Sequence, residues 1–130
     1  MTPKTLWTNS WSTLSLAILM GLLAGTALAN PSNQELPVKG MINVIDVGAG
    51  SCIPCKMMAP ILEELKKEYD GRAVIEFVDT RYDKSAIDKY RLKGIPTQVF
   101  YDKEGKEVYR HVGFMDKAAI VQALKKLGVN

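Results

Sequence analysis

The chain has 130 residues, of which 47% are hydrophobic and 24% charged, and its net charge is +3 at neutral pH. This length fits one domain of ordinary size, and the composition is that of a globular protein rather than a collagenous or disordered one. The Lys and Arg residues are scattered along the chain, which argues against a nucleic-acid-binding surface. Two cysteines are too few for a disulfide-stapled scaffold.

The first 29 residues have the order of a secretory signal peptide. Lys4 is their one charged residue, and the apolar run 14–29 ends in Ala27-Leu28-Ala29. Small residues at these positions are typical of a signal-peptidase site, and the run is shorter than the ~20 residues that span a bilayer. The sequence therefore predicts cleavage after Ala29 and export to an oxidising compartment such as a bacterial periplasm.

Two alternatives to cleavage remain for this segment, an uncleaved membrane anchor and an N-terminal helix of the fold. The anchor is the stronger of the two. It is disfavoured because the residues that follow, 30–37, lack the cluster of Lys and Arg expected beside a stop-transfer segment.

Residues 30–40 are rich in Pro and polar residues, which predicts an extended arm, and residues 41–130 are predicted to form one α/β domain. Apolar, β-branched runs indicate strands, and apolar residues spaced three and four apart indicate helices. Strands are expected at 41–47, 73–78, 97–101 and 107–112, and helices at 52–69, 85–91 and after Asp116.

The order of these elements predicts a mixed central sheet of about four strands with helices on both faces. The first two strands, joined through a helix, should be parallel, and the last two should form an antiparallel hairpin. Ser85 and Asp116 are candidate N-caps. Pro60 falls inside the long helix, where it removes a backbone donor and should kink the helix.

The chemically informative motif is Cys52-Ile53-Pro54-Cys55, between a predicted strand and a predicted helix. A helix N-terminus has unpaired N–H groups and a partial positive charge, which favour a nucleophilic thiolate at Cys52. Lys56 adds positive charge nearby, and Pro54 suits the first helical turn. Cys52 could attack a substrate disulfide, and Cys55, one turn further on, could resolve the mixed disulfide.

Other interpretations of a single CxxC motif are half of a zinc site and an inert structural disulfide. Zinc requires two more ligands, and the chain offers His111 and no further Cys. A disulfide that closes so short a loop would constrain the unfolded chain little. Met57 and Met58 raise the possibility of copper binding, although Met58 falls on the apolar helix face and is expected in the core.

Three segments of the chain resemble thioredoxins. The segment from Cys52 to Leu62, with Pro60, resembles their active-site helix. Gly94-Ile95-Pro96-Thr97 resembles the cis-proline loop of the family, and Val112-Gly113 resembles its third substrate-facing segment. Asp46, six residues before Cys52, falls where thioredoxins keep a buried acid. The resemblance spans residues 42–127 and implies a thioredoxin-like fold.

The resemblance also implies roles for these residues. The backbone of Ile95, beside a cis Pro96, would pair with an extended substrate peptide. Asp46, buried beneath Cys55, would have a raised pKa and accept the proton of that thiol; the alternative is an acid that only stabilises a loop. The substrate-facing residues would be Ser51, Ile53, Pro54, Ile95, Pro96, Val112 and Gly113. The resemblance implies no metal and no cofactor besides a redox-active Cys52–Cys55 disulfide.

The sequence departs from the family pattern in four respects. Ser51 stands where thioredoxins usually have Trp, and Ile53 stands where they have Gly. The short segment before Asp46 indicates that the first strand and helix of the family are reduced or missing. The lysine that often neighbours the buried acid is absent, and Ile75 or Glu76 is expected in its place.

These observations predict an exported thiol–disulfide oxidoreductase that reduces protein disulfides. The chain has no room for the inserted helical domain that exported oxidants usually carry. We expect a monomer whose partners are thiols or disulfides of exported proteins and an electron donor in the membrane or periplasm, with no nucleic acid among them. The alternatives are a disulfide oxidant or isomerase, a copper-binding thioredoxin-like module, and a non-catalytic interaction domain.

Overall fold

The computed structural model describes residues 35–130. These residues form one mixed β-sheet flanked by helices. Its strands are β1 (Ile42–Gly48), β2 (Ala73–Asp79), β3 (Thr97–Tyr101) and β4 (Glu107–Val112), and its helices are α1 (Ile53–Glu68), α2 (Ala86–Lys89) and α3 (Lys117–Lys126). The strand order is β2-β1-β3-β4, in which β1 and β2 are parallel and the other pairs antiparallel. The predicted α/β architecture is confirmed.

β1 is the strand from which the rest of the domain is built. It lies between β2 and β3 and is buried along its whole length, which explains its nearly continuous apolar sequence. Because side chains alternate along a strand, Val44 faces one layer of helices and Ile45 the other.

Helices cover both faces of the sheet, as predicted. On one face, α1 and α3 pack against β1 and β3; the buried side chains there include Val44, Met58, Leu62, Leu65, Phe100, Ile120 and Leu124. On the other face, α2 and the residues after it pack against the sheet; this smaller cluster contains Ile45, Val47, Ala86, Tyr90 and Val99.

The two predicted N-caps behave differently. The side chain of Asp116 accepts a 2.8 Å hydrogen bond from the Ala119 N–H, which confirms it as the cap of α3. Ser85 precedes α2, but its hydroxyl donates to Asp83 Oδ1 at 2.5 Å and makes no cap, so that prediction is wrong. Ser85 also has helical backbone angles, φ −67° and ψ −20°, rather than the extended angles usual for an N-cap. α2 is shorter than the predicted 85–91.

The described part of the predicted N-terminal arm, residues 35–40, consists of bends and turns rather than an extended segment. The buried side chain of Asn43 holds it, accepting from the Val38 N–H at 2.8 Å and donating to the Val38 carbonyl at 2.9 Å. The Gly40 N–H also bonds the Lys103 carbonyl at 2.8 Å. The predicted signal peptide and the predicted reduction of the family's first elements fall largely outside the described residues. From Glu35 onward, no helix is both long and apolar enough to cross a membrane.

Candidate active site

The two cysteines lie at the amino end of α1, in unlike surroundings. Cys52 occupies the N-cap position with extended backbone angles, φ −76° and ψ 128°, and is partly exposed. Cys55 lies one turn further on and is 3% exposed. Both are free thiols. The first turn of α1 contains no acidic residue that would oppose the positive end of the helix dipole beside Cys52.

The environment of Cys55 favours its protonated form. Burial raises the pKa of Cys55 to about 11, and the hydrogen bond with the Cys52 thiol and the negative charge of Asp46 act in the same direction. A hydrogen bond with the Ala49 backbone opposes them. Cys55 therefore needs a base before it can act as a nucleophile.

Gly48, the last residue of β1, lies against the sulfur of Cys55. A Cβ atom at this position would be 2.8 Å from Cys55 Sγ and 3.2 Å from Phe77 Cε2, so a side chain would displace the thiol. The sequence pattern, which predicts a strand at 41–47, gave no indication of this role for Gly48. The signal it could have used is a glycine at the carboxyl end of a buried strand, where a close approach is common.

Asp46 is fully buried on β1, on the sheet face that α1 covers. Its cross-strand neighbour on β3 is Gln98, whose Nε2 donates a 2.7 Å hydrogen bond to Asp46 Oδ1. Burial raises the pKa of Asp46 to about 6, and the bond from Gln98 partly offsets that rise. Gln98 is also fully buried, and the sequence analysis missed it although it is a polar residue within an apolar strand.

The residue on the other side of Asp46 is Phe77. The parallel register pairs Asp46 with Phe77, whereas Ile75 pairs with Val44 and Glu76 with Ile45. The expectation that Ile75 or Glu76 lies beside Asp46, in the place of the family lysine, was therefore wrong. Phe77, one or two residues further along β2, lies there instead. Among the described ion pairs none involves Asp46, and an aromatic ring stands where a cation would compensate its charge.

The remaining predicted segments meet at the same end of the sheet. The register aligns Thr97 with Val47 at the end of β1 and with Val112 at the end of β4. The Ile95–Pro96 peptide bond is cis, and the Pro96 carbonyl accepts a 2.7 Å hydrogen bond from the Gly113 N–H. The cis-proline loop and residues 112–113 are thus joined directly beside the end of β1.

Several apolar side chains at the site are open to solvent. Ile95 is 39% and Val112 50% exposed, whereas Pro96 is buried, and Ile53 in the first turn of α1 is 73% exposed. Ser51 is exposed and Pro54 partly exposed in the turn that leads into α1.

An ion pair secures the loop before Cys52. Asp79, at the end of β2, accepts from the Gly50 N–H at 3.2 Å and from Arg81 Nη2 at 2.6 Å. Arg81 lies so close over Gly50 that a Cβ there would collide with its guanidinium group. These bonds hold the pKa of Asp79 at about 2. The sequence pattern, which predicts no element between residues 79 and 84, gave no indication of this contact.

Met58 and His111, considered as metal ligands beside the two cysteines, each make a contact within the fold. Met58 is buried, and its sulfur accepts the Met115 N–H at 3.4 Å, as expected of a core residue. His111 lies on β4, opposite Gln98, with Nε2 3.1 Å from the Phe114 carbonyl. In residues 35–130 no three His, Cys, Asp or Glu side chains are grouped closely enough to hold a metal ion.

A partly exposed thiol and a buried thiol at a helix N-terminus, with a cis-proline loop at the same end of the sheet, have the arrangement of a dithiol site of the thioredoxin-like class. Comparisons with known proteins agree. The thioredoxin family model matches residues 29–126. The chain is 37% identical to a thioredoxin of Staphylococcus saprophyticus over 95 residues, covering 73% of this chain and 90% of that protein. The chain therefore belongs to the thioredoxin family.

Two further relatives support the same assignment. A thioredoxin of Staphylococcus aureus strain Mu50 is 38% identical over 89 residues, covering 68% of this chain and 85% of that protein. The crystal structure of an exposed lipoprotein thioredoxin of Streptococcus pneumoniae superposes with a TM-score of 0.58 and 28% identity, covering 68% of this chain and 87% of that one. The thioredoxin-like fold is confirmed, and the protein is a thioredoxin-family redox protein.

Proposed function

We propose that this protein is an exported thiol–disulfide oxidoreductase that reduces disulfides of other exported proteins through Cys52 and Cys55. The observation that carries the proposal is the unequal setting of the two thiols. Cys52 is accessible at the amino end of α1. Cys55 is buried, and its pKa is raised to about 11, in part by the negative charge of Asp46. One thiol is placed to attack and the other to resolve.

In the first step, the Cys52 thiolate attacks one sulfur of a substrate disulfide. A Cys52–substrate disulfide forms, and the other substrate sulfur leaves as a thiolate that takes a proton from water. The apolar surface at the site would hold the substrate chain during this step, with the Ile95 backbone pairing with it as an added strand. The residues proposed for this contact are Ser51, Ile53, Pro54, Ile95, Pro96, Val112 and Gly113.

In the second step, Cys55 gives its proton to Asp46 and attacks the Cys52 sulfur. This forms the Cys52–Cys55 disulfide and releases the second substrate sulfur as a thiolate, which takes a proton from water, while Asp46 returns its proton to water. The bond to substrate removes the Cys52 thiol, whose hydrogen bond and charge help to raise the pKa of Cys55, so the transfer becomes easier at this stage. Asp46, with a pKa of about 6, is largely ionised at neutral pH and available as the base.

The proposed location rests on the leader-like residues 1–29 and their Ala27-Leu28-Ala29 terminus. The pneumococcal relative, itself an exposed lipoprotein, supports export as a setting for this fold. An exported reductant needs a partner that returns electrons to the Cys52–Cys55 disulfide, since the periplasm contains no thiol buffer. We expect this partner in the membrane or periplasm, and we expect the oxidoreductase to act as a monomer.

Trapping tests the direction and the roles together. A Cys55→Ala variant should accumulate substrates as mixed disulfides on Cys52, because the resolving thiol is gone, and Cys52→Ser should trap none. Mass spectrometry of the trapped proteins would identify the substrates. Disulfide reduction that survives Cys52→Ser would contradict the mechanism, and a redox potential above roughly −150 mV would favour an oxidant over a reductant.

A further inference from the structure

Two oxygen atoms beneath the active site lack hydrogen-bond partners. They are Asp46 Oδ2 and Gln98 Oε1, both buried within the described part of the chain. Buried polar atoms are satisfied in the great majority of cases, so an unsatisfied one calls for a physical explanation. Here the two unsatisfied atoms belong to side chains that already share a 2.7 Å hydrogen bond between Gln98 Nε2 and Asp46 Oδ1.

The two atoms are chemically complementary once a single proton is added. An ionised carboxylate can only accept hydrogen bonds, and so can the carbonyl oxygen of an amide. A protonated carboxyl group has one O–H donor in addition. A proton on Asp46 Oδ2 would therefore satisfy that oxygen as a donor and Gln98 Oε1 as its acceptor.

We propose that Asp46 and Gln98 form an acid–amide pair that is joined by two hydrogen bonds when Asp46 carries a proton and by one when it is ionised. In the protonated state, Gln98 Nε2 donates to Oδ1 and Oδ2–H donates to Gln98 Oε1. In the ionised state the first bond remains, and the lone pairs of Oδ2 and Oε1 oppose each other. The bond from Gln98 Nε2 by itself favours the ionised carboxylate, and the second bond, which only the protonated acid can make, offsets that preference. Gln98 is thus a positioning residue that gives the O–H of the protonated carboxyl group a partner.

The inference deepens the proposed function and rests on it for its consequence, because Asp46 is the group proposed to receive the Cys55 proton. Gln98 would orient Oδ2 and stabilise the carboxyl group after it has accepted that proton. The arrangement requires no cation beside Asp46, in agreement with the aromatic ring of Phe77 at the neighbouring position on β2.

Few other titratable groups face Asp46 from the packed elements. α1 contributes Cys55, and Cys52 beyond it. β2 contributes the uncharged Phe77. β4 contributes His111, which pairs with Gln98 across the strands. The imidazole ring of His111 contacts the Phe114 carbonyl.

The proposal is tested by NMR on the reduced full-length chain. The carboxyl carbon of Asp46 and the side-chain amide of Gln98 should titrate with the same midpoint. Gln98→Met, which keeps the length of the side chain, should change the proton dissociation constant of Asp46 by less than about threefold, because the ionised state loses one charge-assisted bond and the protonated state loses two neutral bonds. A decrease of about fivefold or more would mean that Gln98 acts only as a donor to the carboxylate, and would overturn the proposal. His111→Gln controls for titration of the imidazole and should leave the midpoint in place.

A second variant keeps the test valid if Gln98→Met does not fold. Asp46→Asn is isosteric with the protonated acid, and its new amide can donate to Gln98 Oε1. Its new side-chain amide protons should be protected from exchange with water, and one of them should show a through-hydrogen-bond coupling to the side-chain carbonyl carbon of Gln98. Fast exchange without that coupling would refute the pairing. These measurements involve no turnover, so the pairing can fail while disulfide reduction persists, and disulfide reduction can fail while the pairing persists.

Discussion

Asp46 places an ionisable carboxyl group in the buried interior of the domain. Its pKa is raised from 3.8 to about 6 by burial, so the folded state binds the proton more tightly than the unfolded state does. The contribution of Asp46 to stability is therefore fully present below pH 3.8. It falls as pH rises and is lost above about pH 6.

This linkage predicts that Asp46→Asn is more stable than the parent chain at neutral pH. A shift of about two pKa units corresponds to ~3 kcal/mol, and the variant should gain stability of this order at pH 7 and little at pH 3.5. Urea unfolding of both chains across that range measures the difference. A constant difference across the range would contradict the prediction. Comparing the two chains cancels the contributions of Asp79 and Asp83, whose pKa values are lowered and whose stabilisation is lost toward acid pH.

Gly48 gives a second prediction for a single residue. Gly48→Ala would bring a methyl group to 2.8 Å from Cys55 Sγ, and overpacking of this kind costs about 1–3 kcal/mol. Gly94→Ala is the matched control, because its methyl would meet Val112 Cγ1 at 3.1 Å on a side chain that is 50% exposed and able to move. Urea unfolding should show the larger loss for Gly48→Ala. Equal losses would contradict the close contact with Cys55.

Among the elements, β3 and β4 have the bounds that their sequence pattern predicts, since each is a short alternating or apolar run enclosed by Gly, Pro or turn residues. Phe77 shows where pattern reading fails. Apolar residues on β2 indicate a strand, but the register of a parallel pair depends on the whole crossover rather than on local sequence. The hydrophobic pattern of β2 therefore could not predict which of its residues lies beside Asp46.

The N-terminus of α3 gives a prediction at the scale of one element. Asp116→Ala removes the acceptor of the Ala119 N–H, and loss of such a cap costs ~1 kcal/mol. Ser85→Ala serves as the matched control, because Ser85 makes no cap to α2. Urea unfolding should separate the two variants. A loss at Ser85→Ala as large as that at Asp116→Ala would argue against the cap assignment.

At the scale of the molecule, the sequence located the two cysteines and the loops around them because each is a short local motif. Gly48, Gln98 and Arg81 escaped it because their roles arise between elements distant in the chain. Gln98 reaches Asp46 through the pairing of β3 with β1, and Arg81 reaches Gly50 from the loop after β2. Only the assembled sheet brings them to the site.

The proposed removal of residues 1–29 has a spectroscopic consequence for the whole chain. Trp7 and Trp11 are its two tryptophans, and both precede Ala29, whereas all five tyrosines follow it. Protein purified after export should therefore emit as a tyrosine protein, and its intact mass should correspond to a chain that begins at Asn30. Tryptophan emission from the exported form would contradict cleavage at this position, and the uncleaved chain made without export provides the comparison spectrum.

The contact of Arg81 with Gly50 bears on protein engineering. The Arg81 guanidinium group, paired with Asp79, occupies the space that a side chain at residue 50 would need. Because this group ends a flexible and partly exposed side chain, a larger residue at position 50 would displace it from Asp79. A substitution in the active-site loop would thus be felt at residues 79 and 81, which lie outside the CxxC segment.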